Sequence, residues 1–142
     1  ARQLGAAETV CGDVAQVRAR LLEVTDGEGA DVVITACPVR EVAEQAPELL
    51  APFGRLCLFG GLAKDNPHIR LDANLVHYKN LVITGVTGGP PADFRTALKL
   101  ILAGIAPLDA AIAQTLPLSD MEKAFELALA GRSKIVLDNS GA

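Results

Sequence analysis

Apolar residues recur at helical spacing in four stretches of the chain, and unbroken apolar runs of strand length separate them. "DVAQVRARLLEV" places Val14, Val17, Leu21 and Leu22 on one helical face, with Asp13 as the expected N-cap and Gly27 or Gly29 as the stop. "PVREVAEQAPELLAP" repeats the pattern from Pro38 to Leu50, and Pro47 inside it predicts a kink. "PPADFRTALKLILAG" predicts a helix whose inner face carries Phe94, Leu98, Ile101 and Leu102, ending at Gly104. "SDMEKAFELALAG" begins with Ser119 and Glu122 at capping-box spacing.

Between the helices, "ETVC", "ADVVITAC", "GRLCLFGG", "LVITGVTGG" and "KIVLD" read as strands, beginning near Glu8, Ala30, Arg55, Leu81 and Lys134. "LAKDNPHIRLDANLVHYKN" is polar and irregular and reads as a long connection with one helical turn. This alternation is the signature of a doubly wound, mainly parallel α/β sheet, and the apolar runs predict strands covered on both faces. Residues 1–5 read as the last turn of a helix entering a strand, and the only methionine is Met121, so the expectation is a piece of something longer.

The totals narrow the function. A chain of 142 residues can bury roughly 70% of its unfolded surface and suits one domain. Its net charge is −4 with scattered Lys and Arg, so neither nucleic acid nor an anionic membrane is an expected partner. No apolar run reaches the ~20 residues of a membrane span, and the chain reads as cytoplasmic. Cys11, Cys37 and Cys57 are too dispersed for a disulfide framework or a zinc site and read as small core residues.

In a doubly wound sheet, ligands bind beyond the carboxyl ends of the strands. Those ends are Ala36 and Cys37, then Phe59 to Gly61, then Gly85 to Gly89. The glycines there either let a ligand approach the backbone or simply permit the turns, and both readings stand. His68 and His77 stand alone, the acidic residues fall on polar helix faces, and no metal cluster, nucleophile elbow or G-x-G-x-x-G occurs. Arg132 and Lys134 could neutralise a phosphate or complement a helix dipole.

Several segments together resemble the C-terminal part of the zinc-type, medium-chain alcohol and polyol dehydrogenases. "ARQLGA", "EGADVVITACP", "LLAPFGRLCLFGGL" and "LPLSDMEKAFELALAGRSKIVLD" follow in the family's order, and "LDANLVHYKNLVITGVTGG" is similar to its sorbitol and iditol branch. Phe53 stands where that family usually has glycine. The resemblance implies an incomplete Rossmann-like fold. Residues 1–107 would form part of a cofactor domain, and 108–142 would pack on a catalytic domain lying upstream. The zinc ligands and the pyrophosphate-binding turn would precede Ala1, leaving the first strand loose, beside the Ala30 strand, or paired with another chain.

By the same resemblance, Phe59, Gly60, Gly61, Gly85, Val86 and Thr87 would contact the nicotinamide and ribose of NAD or NADP, and Lys134 would lie near the pyrophosphate. No catalytic or metal-ligating residue falls in the chain, which alone is expected to be inactive and to bind NAD weakly. Strand 81–87 would join copies into a homo-oligomer. Two competing readings are a free-standing, non-catalytic α/β module that binds a nucleotide or protein, and a zinc-free reductase of the same superfamily.

Overall fold

Parallel pairing sets the architecture throughout the computed structural model, which describes residues 1–106, 108–131 and 134–140. The chain divides into two units: Val10–Gly89, and Ala1–Thr9 joined with the chain from Pro90 onward. In the first, α1 (Val14–Val24) leads to β1 (Ala30–Thr35), α2 (Arg40–Gln45) to β2 (Leu50–Leu58), and α3 (Ala73–Tyr78) to β3 (Val82–Gly85). The strands lie side by side in the order β1-β2-β3.

Local chemistry starts these elements as the sequence predicts. Asp13 accepts the Gln16 N–H at 2.9 Å while the Gln16 side chain accepts the Asp13 N–H at 3.0 Å, a complete capping box on α1. Pro47 has no N–H to continue an α-helix, and the chain tightens there into the 3-10 turn Ala46–Leu49 rather than kinking. β2 then starts at Leu50, ahead of the expected Arg55. Its register against β1 slips between the pairs Ala30↔Leu50 and Val32↔Arg55. The slip contains Phe53, held at φ 62°, and Gly54, where a Cβ would stand 2.8 Å from the Ala51 carbonyl oxygen. Two bonds brace it: the Phe53 N–H donates to the Lys79 carbonyl at 2.7 Å, and Lys79 Nζ donates to the Leu50 carbonyl.

The core sits on one face of the sheet. Val33, Leu56 and Ile83 are register partners across the three strands. Leu56, Leu50 and Ala46 are at most 2% exposed. Leu75 and Val76 of α3 pack against this cluster. The opposite row, Val32, Arg55 and Val82, is open, with Val32 55% exposed and Ile34 beside it 60%. The expectation of strands covered on both faces is therefore met on one face only, where Ala46 of the turn and Leu75 and Val76 of α3 join the Leu56 cluster.

In the second unit, Arg2–Leu4 form a 3-10 turn closed by Gly5 in the left-handed conformation, as its sequence suggests. Residues 8–11 form no strand. A β-branched run without a ladder partner gains nothing from extension, so the segment stays irregular. Next come α4 (Pro91–Leu102), β4 (Ile112–Pro117), α5 (Met121–Ala130) and β5 (Lys134–Asp138). β4 pairs with β5 in a separate two-stranded sheet, so the strands do not all join one sheet. α4 ends as predicted: Gly104 at φ 71° donates to the Ile101 carbonyl and Ile105 to that of Leu100, a Schellman closure.

Two expectations fail here. Phe94 and Leu102 on the supposed inner face of α4 are 75% and 78% exposed, so the apolar spacing of this helix does not mark a buried face within its unit. The Ser119–Glu122 capping box does not form: Ser119 lies in the 3-10 turn Leu118–Asp120, and its hydroxyl donates to Asp120 at 3.3 Å. No helix among the described residues is long and apolar enough to cross a membrane.

Candidate cleft at the strand ends

Because β1, β2 and β3 are parallel, their carboxyl ends meet along one edge of the sheet. Phe59, Gly60 and Gly61 leave the end of β2, Gly85 ends β3, and Val86 and Thr87 follow it. A cleft of about 310 Å³ opens there, and Phe59, Gly60, Gly61, Val86 and Thr87 line it. Backbone bonds fix the rim. The Gly60 N–H donates to the Thr35 carbonyl at 2.7 Å, and the Val86 N–H to that of Leu58 at 3.2 Å.

The glycines divide into two kinds. At Gly60 a Cβ would stand 2.6 Å from the Cys37 carbonyl oxygen, so its lack of a side chain serves the close approach of two turns. At Gly61 a Cβ would meet nothing within 4 Å, and at Gly85 only the Leu58 carbonyl at 3.9 Å. Space over those two is free for another molecule. Phe59 is 57% and Val86 44% exposed at the mouth.

The sequence did not disclose the rest of the wall. Ala43 of α2 closes one part of the cleft, and Leu62, Pro67 and Ile69, from the irregular segment after β2, form another. A weak signal was present: Arg40 and Glu44 stand four apart on α2, and both reach that segment. Arg40 Nη1 donates to Asn66 Oδ1 at 3.2 Å, and Glu44 Oε1 accepts the Arg70 N–H at 3.0 Å.

Lys134 belongs to the other unit, where it is the exposed first residue of β5. Its neighbour Arg132 lies outside the described residues. That unit carries a larger cleft, about 580 Å³, at the carboxyl ends of β4 and β5, lined by residues including Thr115, Pro117, Ser119, Asp138 and Ser140. The sequence pattern does not announce it, because "IAQTLP" carries too few apolar residues to stand out as a strand. It contains none of the predicted site residues, and Lys134 is at the opposite end of β5.

Electrostatics adds no acid or base to the first cleft, whose lining has no titratable group. The Asp138 carboxyl is held below its ordinary range by the Ser140 hydroxyl and then the Ser140 N–H. Glu41 is lowered by its own backbone N–H and then by Arg40. His77 and Tyr78 stack edge to face with ring centroids 4.9 Å apart, away from the cleft lining. Among the described residues, no three His, Cys, Asp or Glu side chains converge to hold a metal ion.

Comparison with known proteins fits this fold. The profile described as zinc-binding dehydrogenase matches residues 1–103. The L-threonine 3-dehydrogenase of Bacillus velezensis is 30% identical over 140 residues, a match covering 96% of this chain and 40% of that enzyme. The sorbitol dehydrogenase of Halalkalibacterium halodurans is 25% identical over 137 residues, covering 96% and 39%. Among solved structures, an alcohol dehydrogenase zinc-binding domain protein from Burkholderia ambifaria superposes with TM-score 0.82 at 23% identity, over 96% of this chain and 37% of that one. This chain thus spans about two-fifths of the length of its curated relatives.

Proposed function

The chain belongs to the zinc-binding dehydrogenase family, and we propose that it supplies the nicotinamide side of the cofactor domain in an oxidoreductase that moves hydride between an alcohol or polyol and NAD or NADP. The observation that carries this reading is the cleft at the parallel strand ends, with open space above Gly61; Gly85 precedes its Val86 wall in the chain but does not line it. Phe59, Val86 and the rim glycines would bound the nicotinamide and its ribose, and the Thr87 hydroxyl would serve as a hydrogen-bonding group for that sugar. The largely apolar lining would exclude water from one ring face. When bound, the nicotinamide supplies the hydride chemistry. Lys134 is proposed for the pyrophosphate, residues 1–107 for the cofactor domain, and 108–142 for the segment that packs on an N-terminal catalytic domain.

The described residues do not fit the zinc that the family's name implies, because no three His, Cys, Asp or Glu side chains converge among them. With neither a ligand set nor an acid–base group in the cleft, the 142-residue chain alone is expected to give no turnover of sorbitol or L-threonine with added NAD and zinc. Calorimetry should find NAD binding weaker than micromolar. Turnover above blank, or micromolar binding, contradicts the reading.

Self-association is proposed through β3, an edge strand of its sheet. Since the Val86 N–H points to β2, alternation along the strand directs the Ile83 N–H to the free edge. Ile83→Pro removes that donor. Light scattering should show an oligomer for the parent chain and a monomer for the variant; a parent that is monomeric at all concentrations contradicts the proposal.

A further inference from the structure

The segment between β2 and α3 has no helix or strand from Leu62 to Leu71, yet it forms one wall of the Phe59 cleft. Irregular backbone beside a cleft must find partners for its polar groups or fluctuate. Here α2 holds the segment at two points, one through a side chain and one through a backbone N–H. Arg40 holds Asn66 through Nη1 at 3.2 Å, and Glu44, with its side chain only 19% exposed, accepts the Arg70 N–H at 3.0 Å. Arg70 Nε lies 3.9 Å from the same oxygen. Pro67 and Ile69 fall between the pinned residues, and both line the cleft. Ala43, adjacent to Glu44, lines it from the helix side, so one helix both forms part of the wall and holds the other part.

We propose that Glu44 and Arg40 are positioning residues that clasp segment 62–70 to α2 and thereby set the width of the cleft for its ligand. The ligand part of this inference rests on the cofactor reading above. Both bonds are charge-assisted, and Glu44 provides the stronger hold because its bond is shorter and its side chain, less exposed than that of Arg40, has less freedom to move. Gln at position 44 keeps an acceptor there; Ala removes it.

The test places 4-fluorophenylalanine at the four phenylalanines, with the Phe59 signal assigned by its loss in Phe59→Leu. In Glu44→Ala the Phe59 fluorine signal shifts or broadens and the Arg70 amide exchanges about tenfold faster. The signals of Phe53, Phe94 and Phe125 stay in place, which shows that the fold is intact. Glu44→Gln restores both readouts, and Asn66→Ala, which frees the other end, moves the Phe59 signal in the same way. Nicotinamide mononucleotide should bind Glu44→Ala about fivefold more weakly than the parent or Glu44→Gln. An unmoved Phe59 signal or unchanged Arg70 exchange in Glu44→Ala overturns the clasp. Equal mononucleotide affinity despite a moved Phe59 signal overturns its role in fitting the ligand. A parent chain that binds no mononucleotide overturns the cofactor reading instead, while the fluorine and exchange measurements still decide the clasp.

Discussion

The two faces of the three-stranded sheet are built from the same strands and have opposite fates. On one, Val33, Leu56 and Ile83 stand in register beneath α3 and the Ala46–Leu49 turn, and Leu56 is wholly buried. On the other, Val32 and Val82 flank Arg55 and about half of each valine meets solvent. Their side chains are equally apolar. Composition therefore reports that a surface is suited to burial, while the elements available decide which surface is buried.

The sharpest way to break the comparison is to truncate one residue on each face. Leu56→Ala should lower the stability of the Val10–Gly89 unit by about 2–5 kcal/mol, because the cavity in a filled row cannot collapse freely. Val32→Ala on the open row should cost about 0.5 kcal/mol or less. Denaturant titration followed by residue-resolved signals of the unit checks both; similar losses would mean that the second face is also packed.

A smaller effect separates strain from packing. Phe53 is 73% exposed and held at φ 62°, so its side chain contributes little burial while its backbone sits in the left-handed region. Phe53→Gly should raise stability by about 1 kcal/mol, with an unchanged denaturant slope. Destabilisation would show that the exposed ring makes contacts that outweigh the strain.

These contrasts also explain what the sequence could and could not disclose. Gly5, Asp13 and Gly104 were legible because a cap or a left-handed turn is decided within a few residues. The end of β2 and of β3, and hence Phe59 to Gly61 and Gly85 to Thr87, were legible because an apolar run closing in glycine marks where a strand turns over. β4 was not, since Ile112, Gln114 and Leu116 form too brief an alternation, and its pairing depends on the distant β5. Residues 8–11 have strand propensity but form no strand, because that propensity needs a neighbouring strand to act on. The wall from Leu62 to Ile69 escaped for the same reason: it is fixed by Arg40 and Glu44, and such contacts leave no periodicity.

The central claim, that the cleft at the ends of β2 and β3 receives the nicotinamide end of a dinucleotide, is tested most directly by titrating the ¹⁵N-labelled chain with nicotinamide mononucleotide and following its amide signals. The account predicts that Phe59, Gly61, Gly85, Val86 and Thr87 shift together along one saturating curve, while Thr115, Ser119 and Ser140 around the larger cleft stay still. An absence of shifts at the first set, or shifts gathered at the second, would contradict it.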